Sequence, residues 1–157
     1  MFLSFRGADL RNNFIDHLKE AFKLNNIRYY IDELEHRGEN LTILFQRIKE
    51  SRIALVFFSI RYPESAWCLD ELVVIMEKMK NDKLRVIPIF FKVKPEDVRG
   101  QKKEFGVALY GEGRRRRENM PKWEDALEAI PPYMGLVLDE NRSRLRTQFL
   151  FDLLIIS

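Results

Sequence analysis

Two uninterrupted apolar runs constrain the fold of this chain more than any other feature. Every residue from Ile53 to Phe58 is apolar, and so is every residue from Val86 to Phe91. A strand with one face in water alternates apolar and polar residues, whereas a strand covered on both faces is apolar throughout. These runs therefore predict the central strands of a parallel sheet with helices packed on both sides.

The segments around these runs alternate between strand and helix patterns. Shorter apolar runs at residues 2–5 and 28–31 predict two further strands. Apolar residues at helical spacing lie between the strands, namely Phe14, Leu18 and Phe22, and then Ile43, Leu44 and Ile48. This order predicts an α/β sheet with right-handed crossovers. The 157 residues suffice for one domain, which we assign to residues 1–140, and we expect residues 141–157 to form a C-terminal helix or a tail.

The segment after the run 53–58 combines a large aromatic side chain with a carboxylate. Trp67 and Glu71 are four residues apart, so on a helix they share a face. The apolar stripe of that helix consists of Leu69, Leu72, Val73, Met76 and Met79. At about 100° per residue, Trp67 and Glu71 are expected to point away from this stripe, so Glu71 is not expected to serve the core. An alternative is an ordinary acidic first turn favoured by the helix dipole, with Trp67 covering a loop.

The carboxyl ends of the first and third predicted strands bring further polar groups to the same place. In a sheet whose strand order reverses between these two strands, ligands bind in the crevice at their carboxyl ends. Arg6, Gly7 and Arg11 follow the first strand, and Ser59 follows the third. The alternative for the arginines is a solvated loop that pairs with Asp9.

Composition and motifs exclude several other classes of function. The net charge of +3 is too small to indicate nucleic-acid binding, and the run 114–117 of four arginines is more typical of a solvated loop. Cys68 is the only cysteine and there are two histidines, so we expect no disulfide and no metal site. Glycine-rich phosphate loops and the serine-hydrolase motif are absent. We expect neither a signal peptide nor a membrane span, and a location in the cytoplasm or the nucleus.

Four segments together resemble a plant TIR (Toll/interleukin-1 receptor-like) domain. They are residues 2–11, residues 31–38, residues 67–72 and residues 86–99. The resemblance extends over roughly residues 2–136, with the motifs in the family's order. It implies a flavodoxin-like three-layer fold with a five-stranded parallel sheet in the order 2-1-3-4-5.

The resemblance also implies an activity. Many members of this family cleave NAD to nicotinamide and ADP-ribose products once they self-associate, as ADP-ribosyl cyclases or cyclic ADP-ribose hydrolases. The family's catalytic glutamate corresponds to Glu71, and NAD is the substrate, so no cofactor is implied. The residues implied to contact NAD are Arg6, Gly7, Arg11, Ser59 and Trp67. The alternative function is a non-enzymatic module that recruits other TIR domains in defence signalling.

Self-association is implied through a further set of residues. They are Asp16, His17, Asp32, Arg37, Gly38 and Gly135, with Asp32 to Asn40 forming the loop that contacts a neighbouring subunit. This chain departs from the family at two of these surfaces, because Asp16 replaces a serine and Leu136 replaces a tryptophan. The predicted partners are therefore NAD and other TIR domains, with no membrane and no nucleic acid.

Overall fold

Five parallel strands form one sheet in the order β2-β1-β3-β4-β5. They are β1 (Phe2–Ser4), β2 (Tyr30–Ile31), β3 (Ile53–Phe58), β4 (Arg85–Phe91) and β5 (Leu136–Leu138). This computed structural model describes residues 1–10, 15–31, 41–111, 118–131 and 136–138. Every pairing between neighbouring strands is parallel, which confirms the predicted flavodoxin-like fold and strand order.

Seven helices are described alongside the strands. They are α1 (Gly7–Leu10), α2 (Asp16–Leu24), α3 (Leu41–Glu50), α4 (Ala66–Lys80), α5 (Pro95–Arg99), α6 (Lys103–Tyr110) and α7 (Met120–Glu128). A short 3₁₀ turn, Tyr62–Glu64, lies between β3 and α4. No described helix is both long enough and apolar enough to cross a membrane.

The sheet separates two apolar cores because its side chains alternate between faces. One face carries Phe2, Val56 and Phe90 and packs against α3, α4, α6 and α7. The other face carries Leu3, Phe57 and Ile89 and packs against α1 and α2. Since both faces are covered by helices, the central strands are buried, as their uninterrupted apolar sequence predicts.

The two central strands match the predicted runs closely, whereas β2 covers only the second half of the predicted run 28–31. The bounds of β3 are those of the run 53–58, and β4 begins one residue before the run 86–91. Ile43 was expected on a buried helix face, but 58% of its surface is exposed, whereas Leu44 and Ile48 are buried as expected. The helices α5 and α6 follow β4, in a segment for which the sequence analysis predicts no helix. The proposed boundary at residue 140 lies outside the described residues.

Candidate functional site

The crevice between the carboxyl ends of β1 and β3 is where the helix layers diverge. The strands β1 and β3 are direct neighbours, with Ser4 paired to Val56. The helix α2, between β1 and β2 in the chain, packs on one face of the sheet, whereas α4, which follows β3, packs on the other. Loops that leave these two strands therefore turn in opposite directions, which opens a crevice suited to ligands.

The turn after β3 fixes the start of α4. Ser59 is buried, and its carbonyl oxygen accepts a hydrogen bond from the Tyr62 N–H at 3.1 Å. Ser65 adopts an extended backbone conformation, and its Oγ accepts from the Cys68 N–H at 3.2 Å. This is an N-terminal cap, which satisfies one of the free N–H groups of the first helical turn. The cap therefore sets which side chains of α4 face the sheet.

A buried polar network joins the first turn of α4 to the end of β1. The Tyr62 hydroxyl donates to the Cys68 carbonyl at 3.0 Å and lies 2.9 Å from Ser4 Oγ. Because the Tyr62 proton is used in the first bond, Ser4 must be the donor in the second. Cys68 Sγ in turn donates to the Phe5 carbonyl at 3.4 Å. The network holds the crevice residues of α4 against the strand that leads to Arg6.

Glu71 is buried, whereas the sequence analysis expected it to point away from the buried face of α4. Only 2% of the Glu71 surface is exposed, and its buried neighbours on the helix include Cys68 and Ile75. The buried arc runs from Glu71 round to Leu69, about 160° at 100° per residue. The sequence prediction placed the buried face around Leu69 and Leu72. It missed the side of the helix that carries Glu71, which lies towards the end of β1.

The surroundings of Glu71 are electrostatically coupled. The pKa of Tyr62 is raised well above 10, first by burial and then by the charges of Cys68 and Glu71. Each of these effects favours the neutral phenol. Glu71 therefore lies close enough to the Tyr62 hydroxyl for its charge to be felt there. A carboxylate at such a position faces a poorly solvated environment in which a cation is strongly favoured as a partner.

Trp67 is half-buried and packs against the core on the α4 side of the sheet. Among the described residues, no acceptor reaches its buried Nε1–H group. Buried tryptophan N–H groups usually have a hydrogen-bond partner. The sequence prediction that Trp67 stacks on a ring of the substrate stays a prediction.

Arg6 lies two residues after the end of β1 and forms an ion pair. Its Nη2 lies 3.4 Å from Glu64 Oε2, with 18% of the Arg6 side chain exposed. The Arg61 Nε donates to both oxygens of the same Glu64 carboxylate at 3.0 Å. The sequence analysis gave pairing with Asp9 as the alternative role of Arg6 and did not identify Glu64 as a partner. Residues 61 and 64 are separated by one helical turn, which signals their pairing, but no local spacing connects residue 64 to residue 6.

The two adjacent carboxylates of α4 have different partners. Asp70 Oδ1 accepts a hydrogen bond from Trp123 Nε1 of α7 at 2.9 Å, and Trp123 is buried. Asp70 is therefore a link between two helices. Glu71 is the carboxylate that lies towards the end of β1.

The remaining predicted site residues fall into two groups. Gly7 begins α1, and Asp16 and His17 are exposed at the start of α2. The others lie outside the described residues: Arg11, Asp32, Arg37, Gly38 and Gly135. The described part of the chain thus brings together Arg6, Gly7, Ser59, Trp67 and Glu71 at one end of the sheet.

A second hollow, of about 470 Å³, lies further along the same edge of the sheet, beside the ends of β4 and β5. Lys92, Lys94 and Lys103 line it, and Lys103 Nζ lies 3.8 Å from Asp97 Oδ2. It contains none of the predicted site residues. The crevice between β1 and β3 therefore remains the candidate site.

Comparisons with known proteins point to one family. The sequence model described as the TIR domain matches residues 1–150. The Arabidopsis thaliana disease resistance protein LAZ5 is 57% identical over 143 residues, which are 91% of this chain and 12% of LAZ5. The disease resistance protein RBA1 of the same plant is 45% identical over 144 residues, which are 91% of this chain and 40% of RBA1. The chain thus spans less than half the length of either relative.

A solved structure has the same fold. The TIR domains of the activated Roq1 resistosome, which directly recognizes the pathogen effector XopQ, superpose with a TM-score of 0.81 and 34% sequence identity. The match covers 96% of this chain and 96% of that chain.

Proposed function

The chain belongs to the TIR domain family, and on that premise we propose that it cleaves NAD at the bond between nicotinamide and ribose. Its role is in plant defence signalling, as the disease resistance proteins among its relatives suggest. The observation that carries the proposal is the burial of Glu71 beside Tyr62, at the end of β1 where Arg6 also lies. A module that only recruits other proteins has no need for a carboxylate in that position, since burial of a charge costs desolvation free energy.

The proposed reaction needs only one carboxylate. The C1′–N bond breaks with both electrons going to the nicotinamide ring, which leaves as a neutral molecule, so no general acid is required. The ribose becomes an oxocarbenium ion, as in glycoside hydrolysis. Water then adds to C1′ and releases a proton, which gives ADP-ribose, whereas attack by a nucleophile of the same molecule gives a cyclic product.

Glu71 stabilises the positive charge that develops on the ribose. Its burial lowers the local dielectric constant, so its interaction with a cation is stronger than at the surface. Its oxygens accept hydrogen bonds from ribose hydroxyls and orient the sugar. The network of Ser4, Tyr62 and Cys68 keeps this part of α4 fixed, so little reorganisation is needed at the moment of reaction.

The other crevice residues bind the rest of NAD. Arg6 and Arg11 contact the phosphates, since guanidinium groups bind phosphate oxygens through paired hydrogen bonds. Gly7 allows close approach of the backbone, Ser59 contributes to the wall of the crevice, and Trp67 packs against a ring of the substrate.

Self-association completes the active unit in this proposal. The similarity to TIR domains of an activated resistosome supports it. The loop from Asp32 to Asn40, with Arg37 and Gly38, packs against a second copy, and Asp16, His17 and Gly135 belong to the assembly surfaces. Other TIR domains are therefore the proposed macromolecular partners.

The direct test is the release of nicotinamide from NAD by concentrated protein, measured by chromatography. Glu71→Gln keeps the size and polarity of the buried side chain and removes its charge, so we expect the rate to fall about 100-fold or more. Asp70→Asn is the matched control, because it removes the neighbouring charge and retains an oxygen that accepts from Trp123.

Two results would contradict the proposal. Equal nicotinamide release by Glu71→Gln and the unchanged chain would exclude Glu71 as the catalytic residue. No release at any concentration would leave the non-enzymatic recruitment module as the function. A thermal unfolding curve of each variant separates loss of catalysis from loss of fold.

A further inference from the structure

Glu64 forms a bridge between two arginines at the mouth of the crevice. Its Oε2 lies 3.4 Å from Arg6 Nη2 and 2.9 Å from Arg61 Nη2. The side chains of Arg6 and Glu64 are 18% and 30% exposed, whereas Arg61 is 61% exposed. The contact with Arg6 is thus the more sheltered of the two, and the contact with Arg61 is the shorter.

The backbone holds Glu64 in this position. The 3₁₀ turn that contains Glu64 is anchored by Tyr62 and Pro63, which are both buried. The Glu64 N–H donates to the Arg61 carbonyl at 3.0 Å, and Ser65, the next residue, caps α4. Arg6 stands on the other wall of the crevice, after β1. The ion pair therefore spans the crevice from the β3 side to the β1 side.

We propose that Glu64 competes with the phosphates of NAD for Arg6 and so sets the affinity of the site for its substrate. This inference rests on the proposed function, in which Arg6 binds phosphate. A carboxylate and a phosphate are bound through the same guanidinium donors, so one must leave Arg6 before the other binds fully. The apparent dissociation constant is then the intrinsic constant divided by the fraction of molecules in which Arg6 is released.

Arg61 tunes this competition by sharing the Glu64 carboxylate with Arg6. Because Arg61 contacts both oxygens of Glu64, it weakens the hold of that carboxylate on Arg6. Loss of the Glu64 charge should therefore tighten substrate binding, and loss of Arg61 should weaken it. Glu64 and Arg61 are positioning residues that act through Arg6.

The two variants are expected to change the KM for NAD in opposite directions, which a purely structural role of this ion pair would not produce. We expect Glu64→Gln to lower the KM for NAD about three- to tenfold with kcat unchanged, the size expected for a partly exposed ion pair. Arg61→Gln is expected to raise KM. Glu77→Gln is the matched control, since Glu77 is an exposed carboxylate of α4, and its KM should stay that of the unchanged chain. A KM that moves in the same direction in both test variants, or a Glu64→Gln variant that matches Glu77→Gln, would overturn the inference.

A binding measurement distinguishes this inference from the proposed function. Calorimetric titration with ADP-ribose, which carries the pyrophosphate of NAD, is performed on Glu71→Gln and on the double variant Glu64→Gln/Glu71→Gln. Tighter binding by the double variant supports the competition at Arg6 even if no variant releases nicotinamide, in which case only the proposed catalysis fails. Nicotinamide release that depends on Glu71, with equal ADP-ribose affinity in the two variants, overturns the competition and leaves the catalysis standing.

Discussion

At the residue scale, the adjacent carboxylates Asp70 and Glu71 show how burial separates roles that the sequence leaves equal. Asp70 accepts a hydrogen bond from the buried Trp123 indole. Glu71 is buried on the side of α4 that faces the end of β1, and its charge acts on Tyr62. In the proposed reaction, the second carboxylate is the one that stabilises the positive charge on the sugar. The first joins α4 to α7.

Removal of the Asp70 carboxylate should therefore destabilise the fold. Asp70→Ala leaves the buried Trp123 N–H without its acceptor, which costs about 1–3 kcal/mol of unfolding free energy. Asp70→Asn keeps an acceptor oxygen and should lose less. Urea unfolding followed by tryptophan fluorescence measures both. Equal unfolding midpoints for Asp70→Ala and the unchanged chain would show that the link between α4 and α7 contributes nothing.

Tyr62 should make stability depend on pH in the alkaline range. Its pKa in the folded chain is well above 10, because of burial first and the charges of Cys68 and Glu71 second. The unfolded chain therefore loses this proton at a lower pH than the folded chain does. The stabilisation is fully present below about pH 10, the ordinary tyrosine pKa, and is lost as the pH rises above it.

Tyr62→Phe removes the group that titrates. It should be less stable than the unchanged chain at neutral pH, because Ser4 and the Cys68 carbonyl each lose a partner, and it should show a smaller decline above pH 10. Tyr110→Phe is the comparison variant: burial and the hydrogen bond to Glu124 also raise the pKa of Tyr110, so this variant should reduce the alkaline decline too, but by less than Tyr62→Phe. Identical alkaline declines in the unchanged chain and Tyr62→Phe would assign the pH dependence to other groups.

At the scale of elements, the sequence predicts the strands that are buried on both faces and misses the short helices that depend on local backbone turns. The strands β3 and β4 are visible because both faces of each are covered, so the apolar runs coincide with the strands. The helices α5 and α6 are short, and they are separated by Gln101, whose φ of 50° breaks the helical path. Val98 is the one buried apolar residue of α5. A single apolar residue cannot show the 3.6-residue spacing by which a helix is recognised in a sequence.

The candidate site was predictable in composition and less so in geometry. The residues Arg6, Ser59, Trp67 and Glu71 belong to segments that follow β1 and β3 at one edge of the sheet, because parallel strands end at the same edge. The orientation of Glu71 was wrong, since the width of the buried arc of α4 depends on the sheet beside it. The pair of Arg6 and Glu64 joins residues far apart in the chain, and no periodicity reports such a contact.

The cap of α4 is an element-scale feature with a measurable effect. Ser65→Ala removes the oxygen that accepts from the Cys68 N–H, and caps of this kind contribute about 1 kcal/mol. Ser65→Asp retains an acceptor and should restore most of the loss. Chemical unfolding of the three proteins tests this expectation. An alanine variant as stable as the unchanged chain would show that the register of α4 is set by its packing alone.

At the scale of the whole molecule, the exposed surfaces decide whether copies associate. The two cores are closed off by helices, with Asp16 and His17 exposed at the start of α2. Within one chain, a carboxylate at this helix start is favourable, because it faces the positive end of the helix dipole. If a twofold axis between two copies passes beside Asp16, the two equivalent carboxylates lie close together. The residue that suits the isolated helix thus opposes a symmetric contact at this position.

We therefore expect specific NAD-cleaving activity to rise with protein concentration, with association weakened by Asp16. If assembly completes the site, specific activity should increase over about a hundredfold range of concentration as the associated fraction grows. Asp16→Ser should shift this rise to lower concentration, and the shift should shrink in high salt because salt screens the repulsion between the two carboxylates. Glu77→Gln removes an equal charge from α4 and should leave the curve in place. Light scattering on the same samples gives the associated fraction. A flat specific activity with a single monomer peak throughout, unchanged by Asp16→Ser, would mean that one copy of the chain holds the complete site.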